Sequence, residues 1–333
     1  MATADKGVVL VTGASGFIAG SVVQLLLERG YKVRGTVRSL ADETKVSHLR
    51  ELFPALQLFE ADLLTEGSFD EACKGADYVM HTASPFQITV SDPQKDLVDP
   101  ALKGTLNVLH AAAKSGTVKR VVVTSSCAAV AWQATPPDDK VWTEEDWNED
   151  STLENAPYRL SKTLAERAAW KFVNEGEGKG KFDLAVINPS FVLGPPLSAR
   201  TDSESVRAVK GFLSGTFKKD GCRPSCFGCV DVRDVALAHV VAMEKPEAGG
   251  HRFIASSPTG ISHLELVEML RADPELAAFR DRLPTTESAP VTHRPKYSRS
   301  KAEQQLGITF TPIEKSVTDM AKALISLGIV PQR

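Results

Sequence analysis

The chain contains 333 residues, of which 42% are hydrophobic and 24% charged, and its formal net charge is −3. This length allows one large or two modest domains with a buried core, and the composition is that of an ordinary globular protein. The charge excludes a basic surface field for nucleic acid or an anionic membrane, and no apolar run has the length of a membrane span. The N-terminus is short and polar, unlike a signal peptide, so we expect a cytoplasmic protein.

The first predicted element is a strand that ends in a glycine turn and is followed by a helix. The apolar run at residues 8–12 stops at Gly13, and an amphipathic run begins after Gly16. Gly13 permits a tight turn, and Gly16 lets the backbone approach a pyrophosphate at the helix N-terminus. Such turns also occur as plain packing devices. The residues predicted to bind the phosphates are Gly13, Ser15, Gly16, Phe17 and Ile18.

The end of the second predicted strand, residues 32–38, indicates which dinucleotide binds. An NAD site usually has an acidic residue there to hold the ribose 2′-hydroxyl, and this strand contains none. Arg38 lies where a 2′-phosphate would bind, with Lys45 on the next helix, and a guanidinium matches a phosphate well. The sequence therefore favours NADP(H). In the alternative interpretation, Arg34 and Arg38 belong to a solvated strand edge.

Strands and helices then alternate along the chain. Further strands are predicted at 56–61, 76–82, 118–125 and 182–188, with helices at 93–115 and 155–175. Continuous Val, Ile and Leu runs between helices are typical of a parallel sheet covered on both faces, so we predict an α/β, doubly wound fold. Ligands bind at the carboxyl edge of such sheets. The cofactor-binding residues predicted at this edge are Asp62 (alternatively a helix cap), Leu63, Thr82, Ala83, Ser84 and Thr124.

The cysteines give no sign of a disulfide framework or a metal site. There are five, an odd number. Cys222, Cys226 and Cys229 lie close together in sequence, but a metal site would need a fourth ligand and usually a tighter paired spacing. We therefore expect free thiols and no metal, with a redox-sensitive cysteine pair and a zinc site as the alternatives.

Three polar side chains form a catalytic pattern. The fifth strand runs into Ser126, and the next long helix carries Tyr158 and Lys162, four residues apart and so on one face. A nearby ammonium is expected to lower the pKa of the tyrosine, which can then exchange a proton with a carbonyl oxygen. Ser126 would orient that oxygen, and Lys162 would also hold the nicotinamide ribose. A Tyr-x-x-x-Lys pair is frequent by chance, and its conjunction with the glycine turn and the serine makes it informative.

With these motifs the chain resembles the extended short-chain dehydrogenase/reductases, and among them the dihydroflavonol reductase-like branch. That branch includes cinnamoyl-CoA reductases and yeast and fungal carbonyl reductases. The resemblance covers nearly the full length and includes the stretches 99–107, 188–195 and 230–239. It implies a Rossmann fold, a monomer or homodimer, and Ser126, Tyr158 and Lys162 as the catalytic triad.

The resemblance also implies roles for further residues. Asn107 would complete a proton relay through water, although it could equally satisfy backbone groups inside its helix. Pro189, Ser190 and Val192 would pass the nicotinamide. The acid–base stretch at 231–234 looks like a structural bracket of paired charges between domains.

The expected substrate is a small carbonyl compound that is reduced to an alcohol with NADPH. The asparagine of plant dihydroflavonol reductases, whose place is near Ala131, is absent, and so is the Asn-Trp-Tyr-Cys-Tyr motif of cinnamoyl-CoA reductases. Phe86, Trp132 and Phe191 are the predicted substrate wall. The alternatives are an epimerase or dehydratase of the same fold and a non-catalytic NADP(H) sensor.

We predict that the chain forms two domains, one that binds the cofactor and one that binds the substrate. An NADP-binding domain covers 1–190 and 228–256. A smaller, mostly helical substrate domain covers 191–227 and 257–333.

Overall fold

The computed structural model describes residues 6–84, 91–131, 137 and 139–331. The strands in these ranges are β1 (Val8–Thr12), β2 (Lys32–Val37), β3 (Gln57–Glu60), β4 (Tyr78–His81), β5 (Arg120–Thr124), β6 (Val141–Trp142), β7 (Asp183–Pro189), β8 (Phe191–Leu193), β9 (Cys226–Phe227), β10 (Cys229–Asp231), β11 (Arg252–Ala255), β12 (Ile261–Ser262) and β13 (Lys296–Tyr297). The α-helices are α1 (Phe17–Glu28), α2 (Glu43–Leu52), α3 (Asp70–Cys73), α4 (Asp99–Ser115), α5 (Pro157–Asn174), α6 (Glu204–Leu213), α7 (Val232–Glu244), α8 (His263–Ala272) and α9 (Ile313–Ser326). None of these helices is long and apolar enough to cross a bilayer.

Seven parallel strands form the central sheet in the spatial order β3-β2-β1-β4-β5-β7-β11. From β1 the chain winds outward through β2 to β3, then returns to the other side of β1 and winds the opposite way. The direction therefore reverses between β1 and β4, and a crevice forms at the carboxyl ends of these strands. The predicted doubly wound, α/β Rossmann fold is confirmed.

The sheet is buried on both faces, which explains its continuous apolar strands. Val9, Leu10 and Val11 of β1 are each 0% exposed, and alternate residues join separate hydrophobic clusters on opposite faces. The predicted strands are confirmed, with ends that shift by no more than about two residues. The sequence analysis did not identify β11, a run of only 4 residues.

A second hydrophobic core lies beside the sheet, where α6, α8 and α9 pack around residues such as Phe212 and Leu324. The stretch at the start of α7 connects this core to the sheet. The buried Asp231 carboxylate accepts hydrogen bonds from Nε and Nη2 of Arg233 at 2.8 and 2.7 Å. Nη1 of Arg233 lies 2.8 Å from Asp319 of α9. Asp231 and Arg233 are therefore paired as expected, whereas Asp234 accepts hydrogen bonds from the Thr311 amide and hydroxyl instead of pairing with a charge. The role of this stretch as a bracket between two domains stays a prediction.

Candidate active site

The glycine turn brings the end of β1 close to the chain after β4. Gly13 has a φ of +65°, and a Cβ added there would lie 3.0 Å from the Cβ of Ala83. The Gly13 amide donates to Thr36 Oγ1 at 3.1 Å, and the Gly16 amide donates to the Gly13 carbonyl at 2.9 Å. No side chain in the described residues caps α1, so its first N–H groups are available to a phosphate. Ser15, Phe17 and Ile18 of this turn are half-buried.

The two arginines of the second strand lie in different environments. Nη1 of Arg34 donates to the carbonyls of Ala72 and Lys74 at 3.0 and 2.6 Å, so this side chain has a structural role. Arg38 directly follows β2 and is exposed, and no hydrogen bond or ion pair involves its side chain in the part of the chain described. Lys45, on α2, lies 3.7 Å from Asp42. Arg38 is thus the strand arginine whose guanidinium is available to a ligand.

Two further segments line the crevice beside the turn. Asp62 Oδ1 accepts a hydrogen bond from the Leu64 amide at 2.8 Å, so one carboxylate oxygen stabilises the local turn. Leu63 packs against α4 where Gly104 leaves room, since a Cβ there would lie 2.9 Å from the Leu63 Cβ. On the other segment, the Ala83 amide donates to Thr12 Oγ1 at 3.0 Å. Thr82 and Ser84 flank that contact and are half-buried.

The structure brings the three predicted catalytic side chains together. Tyr158 and Lys162 lie one turn apart on α5, with the Lys162 Nζ 5.7 Å from the centroid of the Tyr158 ring. The Ser126 hydroxyl hydrogen-bonds the Tyr158 hydroxyl. Lys162 donates to Ser84 Oγ at 2.8 Å, which links α5 to the segment after β4. A phenol, a hydroxyl and an ammonium therefore meet at the carboxyl edge of the sheet.

Burial controls the pKa values of this pair, contrary to our expectation for the tyrosine. Removal from water raises the pKa of Tyr158 to about 12, although the Ser126 hydrogen bond and the Arg159 charge oppose the rise. Burial also lowers the pKa of Lys162 to about 8. The sequence-based expectation that Lys162 lowers the pKa of Tyr158 is therefore corrected, because desolvation of the phenolate outweighs nearby positive charge. The phenol is protonated at neutral pH, as a proton donor must be.

A buried carboxylate that the sequence analysis missed lies behind this site. Glu166, one turn after Lys162, is 1% exposed. Its carboxylate accepts hydrogen bonds from Ser125 Oγ at 2.5 Å, Asn188 Nδ2 at 2.8 Å and Arg252 Nε at 2.5 Å. Asn188 Nδ2 also donates to the Ser126 carbonyl at 3.2 Å. Residues from α5, β7 and β11 thus hold the backbone of Ser126, the predicted catalytic serine.

Asn107 does not join the catalytic group. Its Nδ2 donates to the carbonyls of Leu63 and Thr65 at 3.3 and 2.7 Å, and its Oδ1 accepts from the Gly67 amide at 3.1 Å. This placement differs from the predicted proton relay, because α4 turns Asn107 toward the loop after β3.

Another residue of α4 faces the interior near Lys162 instead. Thr105 Oγ1 lies 3.3 Å from Nε2 of buried His81, whose Nδ1 lies 2.9 Å from Thr12 Oγ1. Burial, followed by the charge of Lys162, lowers the pKa of His81 to about 3. His81 is therefore neutral at physiological pH. Neither His81 nor Thr105 was identified from the sequence.

The residues predicted at the nicotinamide end lie at the last residues of β5 and β7 or shortly after them. Thr124 Oγ1 lies 2.6 Å from His239 Nε2. The Ser190 amide donates to the Ala255 carbonyl at 3.0 Å. Phe191 packs on Phe227 with ring centroids 4.5 Å apart. Pro189 ends β7, and Val192 lies in β8 opposite Val230.

The predicted substrate residues Phe86 and Trp132 lie outside the described residues. Their contribution to a substrate wall stays a prediction.

Comparisons with known proteins give a consistent picture. A sequence profile of the NAD dependent epimerase/dehydratase family matches residues 9–255. Cinnamoyl-CoA reductase CAD2 of Medicago truncatula is 43% identical over 97% of this chain and 98% of its own. The yeast methylglyoxal/isovaleraldehyde reductase Gre2, solved with NADPH, has a TM-score of 0.85 and 31% identity over 97% of this chain and all of its own. Gre2 from Candida albicans, also solved with NADPH, has a TM-score of 0.84 and 34% identity over 96% of this chain and 99% of its own.

Proposed function

The chain belongs to the NAD-dependent epimerase/dehydratase family, and we propose that it is an NADPH-dependent reductase that converts an aldehyde or ketone to an alcohol. The observation that carries the proposal is the meeting of Ser126, Tyr158 and Lys162 beside the glycine turn. The similar proteins that bind NADPH or are named as reductases support the same reaction class. The chain is thus an oxidoreductase of the extended short-chain type.

The residues of the crevice fit an NADP(H) molecule. The close approach of Gly13 to Ala83 leaves no room for a side chain at the turn, and α1 begins without a side-chain cap. Both features suit a pyrophosphate. Exposed Arg38, with Lys45, would bind the 2′-phosphate. The remaining cofactor contacts that we propose involve Ser15, Gly16, Phe17, Ile18, Asp62, Leu63, Thr82, Ser84, Thr124, Pro189, Ser190 and Val192.

The three catalytic residues act on the carbonyl oxygen while NADPH supplies a hydride to the carbonyl carbon. Tyr158 donates its phenolic proton to that oxygen, and Ser126 hydrogen-bonds the same oxygen and orients it. Lys162 holds the nicotinamide ribose, and its positive charge stabilises the phenolate left on Tyr158. The carbon gains a hydride and the oxygen gains a proton, so the product is an alcohol.

The substrate would lie between the sheet edge and the second core. Phe191 on β8 follows the proposed nicotinamide residues and, with Phe227, offers an apolar wall. We propose that Phe86 and Trp132 extend this wall. The division into an NADP-binding domain and a substrate domain, and the monomeric or homodimeric state, are also proposals.

Replacement of Tyr158 by phenylalanine tests this function. The full chain is assayed optically for NADPH consumption with methylglyoxal, short diketones, aromatic aldehydes, a dihydroflavonol and a cinnamoyl thioester. Tyr158→Phe should lower kcat by about 10²–10⁴-fold, because the proton donor is lost, with NADPH affinity nearly unchanged. The matched control is Tyr31→Phe, since the Tyr31 hydroxyl binds Glu244 and not the catalytic group. A Tyr158→Phe variant as active as the control would refute the proposed role.

Two other functions have separate signatures. An epimerase of this fold retains its dinucleotide, so purified protein with the absorbance of bound nicotinamide and no net NADPH consumption would favour that alternative. A sensor would bind NADPH without turnover of any carbonyl compound.

A further inference from the structure

A polar recess of about 280 Å³ lies between α4, α5 and the carboxyl ends of β4 and β5. Lys162 lines this recess together with Ser84, Thr105 and His81. The lysine side chain is buried, so its charge is largely removed from bulk water. Polar groups of the protein must therefore satisfy and orient its ammonium.

The Lys162 ammonium donates one hydrogen bond within the described residues, and Ser84 accepts it. The distance from Nζ to Ser84 Oγ is 2.8 Å. An ammonium has three donors around one rotatable bond, so a partner for one donor fixes the directions of the other two. Ser84 thus sets the directions of the two donors that remain for the nicotinamide ribose, which Lys162 is proposed to hold.

The position of Ser84 is fixed by the glycine turn. The preceding Ala83 amide donates to Thr12 Oγ1 at 3.0 Å, and Thr82 Oγ1 donates to the Thr12 carbonyl. A Cβ added at Gly13 would lie 3.0 Å from the Ala83 Cβ, so this segment packs directly on the turn. The acceptor for the lysine therefore belongs to a segment held by the same turn that is proposed to bind the pyrophosphate.

We propose that Ser84 is a positioning residue for Lys162, whose ammonium it holds at a fixed distance from the glycine turn and hence from the cofactor. This inference rests on the proposed reductase function and adds a residue that acts through the lysine. Without the Ser84 hydroxyl, the ammonium loses its one acceptor in the described part of the chain and can turn away from the ribose. The ribose contact and the stabilisation of the Tyr158 phenolate would then both weaken.

The same hydrogen bond favours the charged form of Lys162. Burial lowers the pKa of this lysine to about 8, and an acceptor for the ammonium opposes that effect. The titratable groups around it are His81, neutral with a pKa of about 3, Tyr158, protonated with a pKa of about 12, and Glu166, whose carboxylate is ion-paired. Loss of the Ser84 hydroxyl should therefore lower the pKa of the lysine further.

The pH profile of kcat/KM tests the inference, with the full chain, NADPH and the carbonyl compound that it reduces fastest. In Ser84→Ala the pH at which kcat/KM begins to fall should move down by about one unit, because a hydrogen bond to a charged group is lost. Ser84→Thr, which keeps the hydroxyl, should retain the wild-type profile. The matched control is Ser326→Ala, since Ser326 is exposed and its hydroxyl binds the Ala323 carbonyl.

The Lys162→Arg background shows whether Ser84 acts through the lysine. A guanidinium does not titrate in this range, so Ser84→Ala should cause no shift there. An unshifted Ser84→Ala profile in the wild-type background, or an equal shift in both backgrounds, would overturn the inference. Thermal unfolding midpoints close to that of the wild-type chain are expected for all these variants, because one half-buried hydroxyl is removed or exchanged.

A second measurement separates this inference from the proposed function. A wild-type chain that reduces none of the carbonyl compounds would contradict the reductase function. The Kd for NADPH, measured by fluorescence titration from pH 6 to pH 9, still reports Lys162, because the ammonium is proposed to hold the ribose. The pH at which affinity declines should again be about one unit lower in Ser84→Ala, and an identical decline in both chains would remove Ser84 from this role.

Discussion

The proposed phosphate-binding side and the proposed catalytic side of the crevice differ in how their polar groups are satisfied. On the proposed catalytic side Lys162 donates to Ser84, Tyr158 is hydrogen-bonded to Ser126, and Glu166 accepts from four side chains. On the proposed phosphate side the exposed guanidinium of Arg38 has no hydrogen-bond or ion-pair partner in the described ranges.

The difference follows from what each side must do. Proton transfer requires atoms held in place before the substrate arrives, so internal hydrogen bonds fix them. Phosphate binding derives its energy from donors that the ligand itself satisfies. Removal of a charge should therefore lower the stability of the protein on the catalytic side and the affinity for the cofactor on the phosphate side.

The largest effect is expected when the buried carboxylate of the catalytic side is removed. Glu166→Ala leaves the buried Arg252 guanidinium without its carboxylate partner and should lower the free energy of unfolding by about 3–5 kcal/mol. Urea unfolding followed by the fluorescence of the 4 tryptophans measures this change. Glu149→Ala is the control, because Glu149 pairs with Arg167 at the surface. Equal destabilisation of the two variants would contradict a central role for the Glu166 network.

Removal of Arg38 should affect only the phosphate side. Arg38→Met loses a charge-assisted contact to the 2′-phosphate and should raise the Kd for NADPH about 10–100-fold, with the Kd for NADH unchanged. Fluorescence titration with both cofactors provides the measurement. Arg34→Met should retain the preference for NADPH, because Arg34 binds the carbonyls of Ala72 and Lys74. If Arg34→Met lost the preference for NADPH and Arg38→Met kept it, Arg34 and not Arg38 would be the residue that binds the 2′-phosphate.

The pH dependence of reduction should report Lys162. Its pKa of about 8 means that the ammonium is present below this pH and is lost as the pH rises through it. We expect kcat/KM to be flat below pH 8 and to fall about tenfold per unit well above it. Tyr158, with a pKa of about 12, stays protonated, and His81, with a pKa of about 3, stays neutral over this range.

Lys162→Arg is the control for this profile. A guanidinium keeps its charge throughout the range, so the fall above pH 8 should disappear even if the variant is slower. A profile that falls identically in the variant would assign the titration to another group.

Local patterns predicted the parts of the site that depend on one element. The turn at Gly13, the strand end at Arg38 and the spacing of Tyr158 and Lys162 each lie within a single strand–turn–helix or a single helix, where periodicity and residue type carry the information. The pKa of Tyr158 was not predictable from this spacing, because desolvation depends on everything that packs over the ring.

Contacts between distant segments supplied the rest of the site. Glu166 meets Ser125, Asn188 and Arg252, which come from three other parts of the chain. The orientation of α4 is another such feature. Thr105 and Asn107 are two positions apart on this helix, so their side chains point to nearly opposite sides of it.

The smallest effect is expected at Asn107, because α4 turns this side chain toward the loop after β3. Asn107→Ala removes hydrogen bonds to the loop after β3 and should lower the free energy of unfolding by about 1 kcal/mol. We expect kcat to stay within about twofold of the wild-type value, because the proposed acid–base catalysis passes through Tyr158 and Lys162. Steady-state assays across pH 6–9 provide the measurement, because a lost proton-transfer group would change how the rate depends on pH in this range. A loss of kcat greater than about tenfold, without a loss of stability, would restore the relay that the resemblance implied. It would also mean that the contacts of Asn107 with Leu63 and Thr65 are exchanged for a water path when the reaction proceeds.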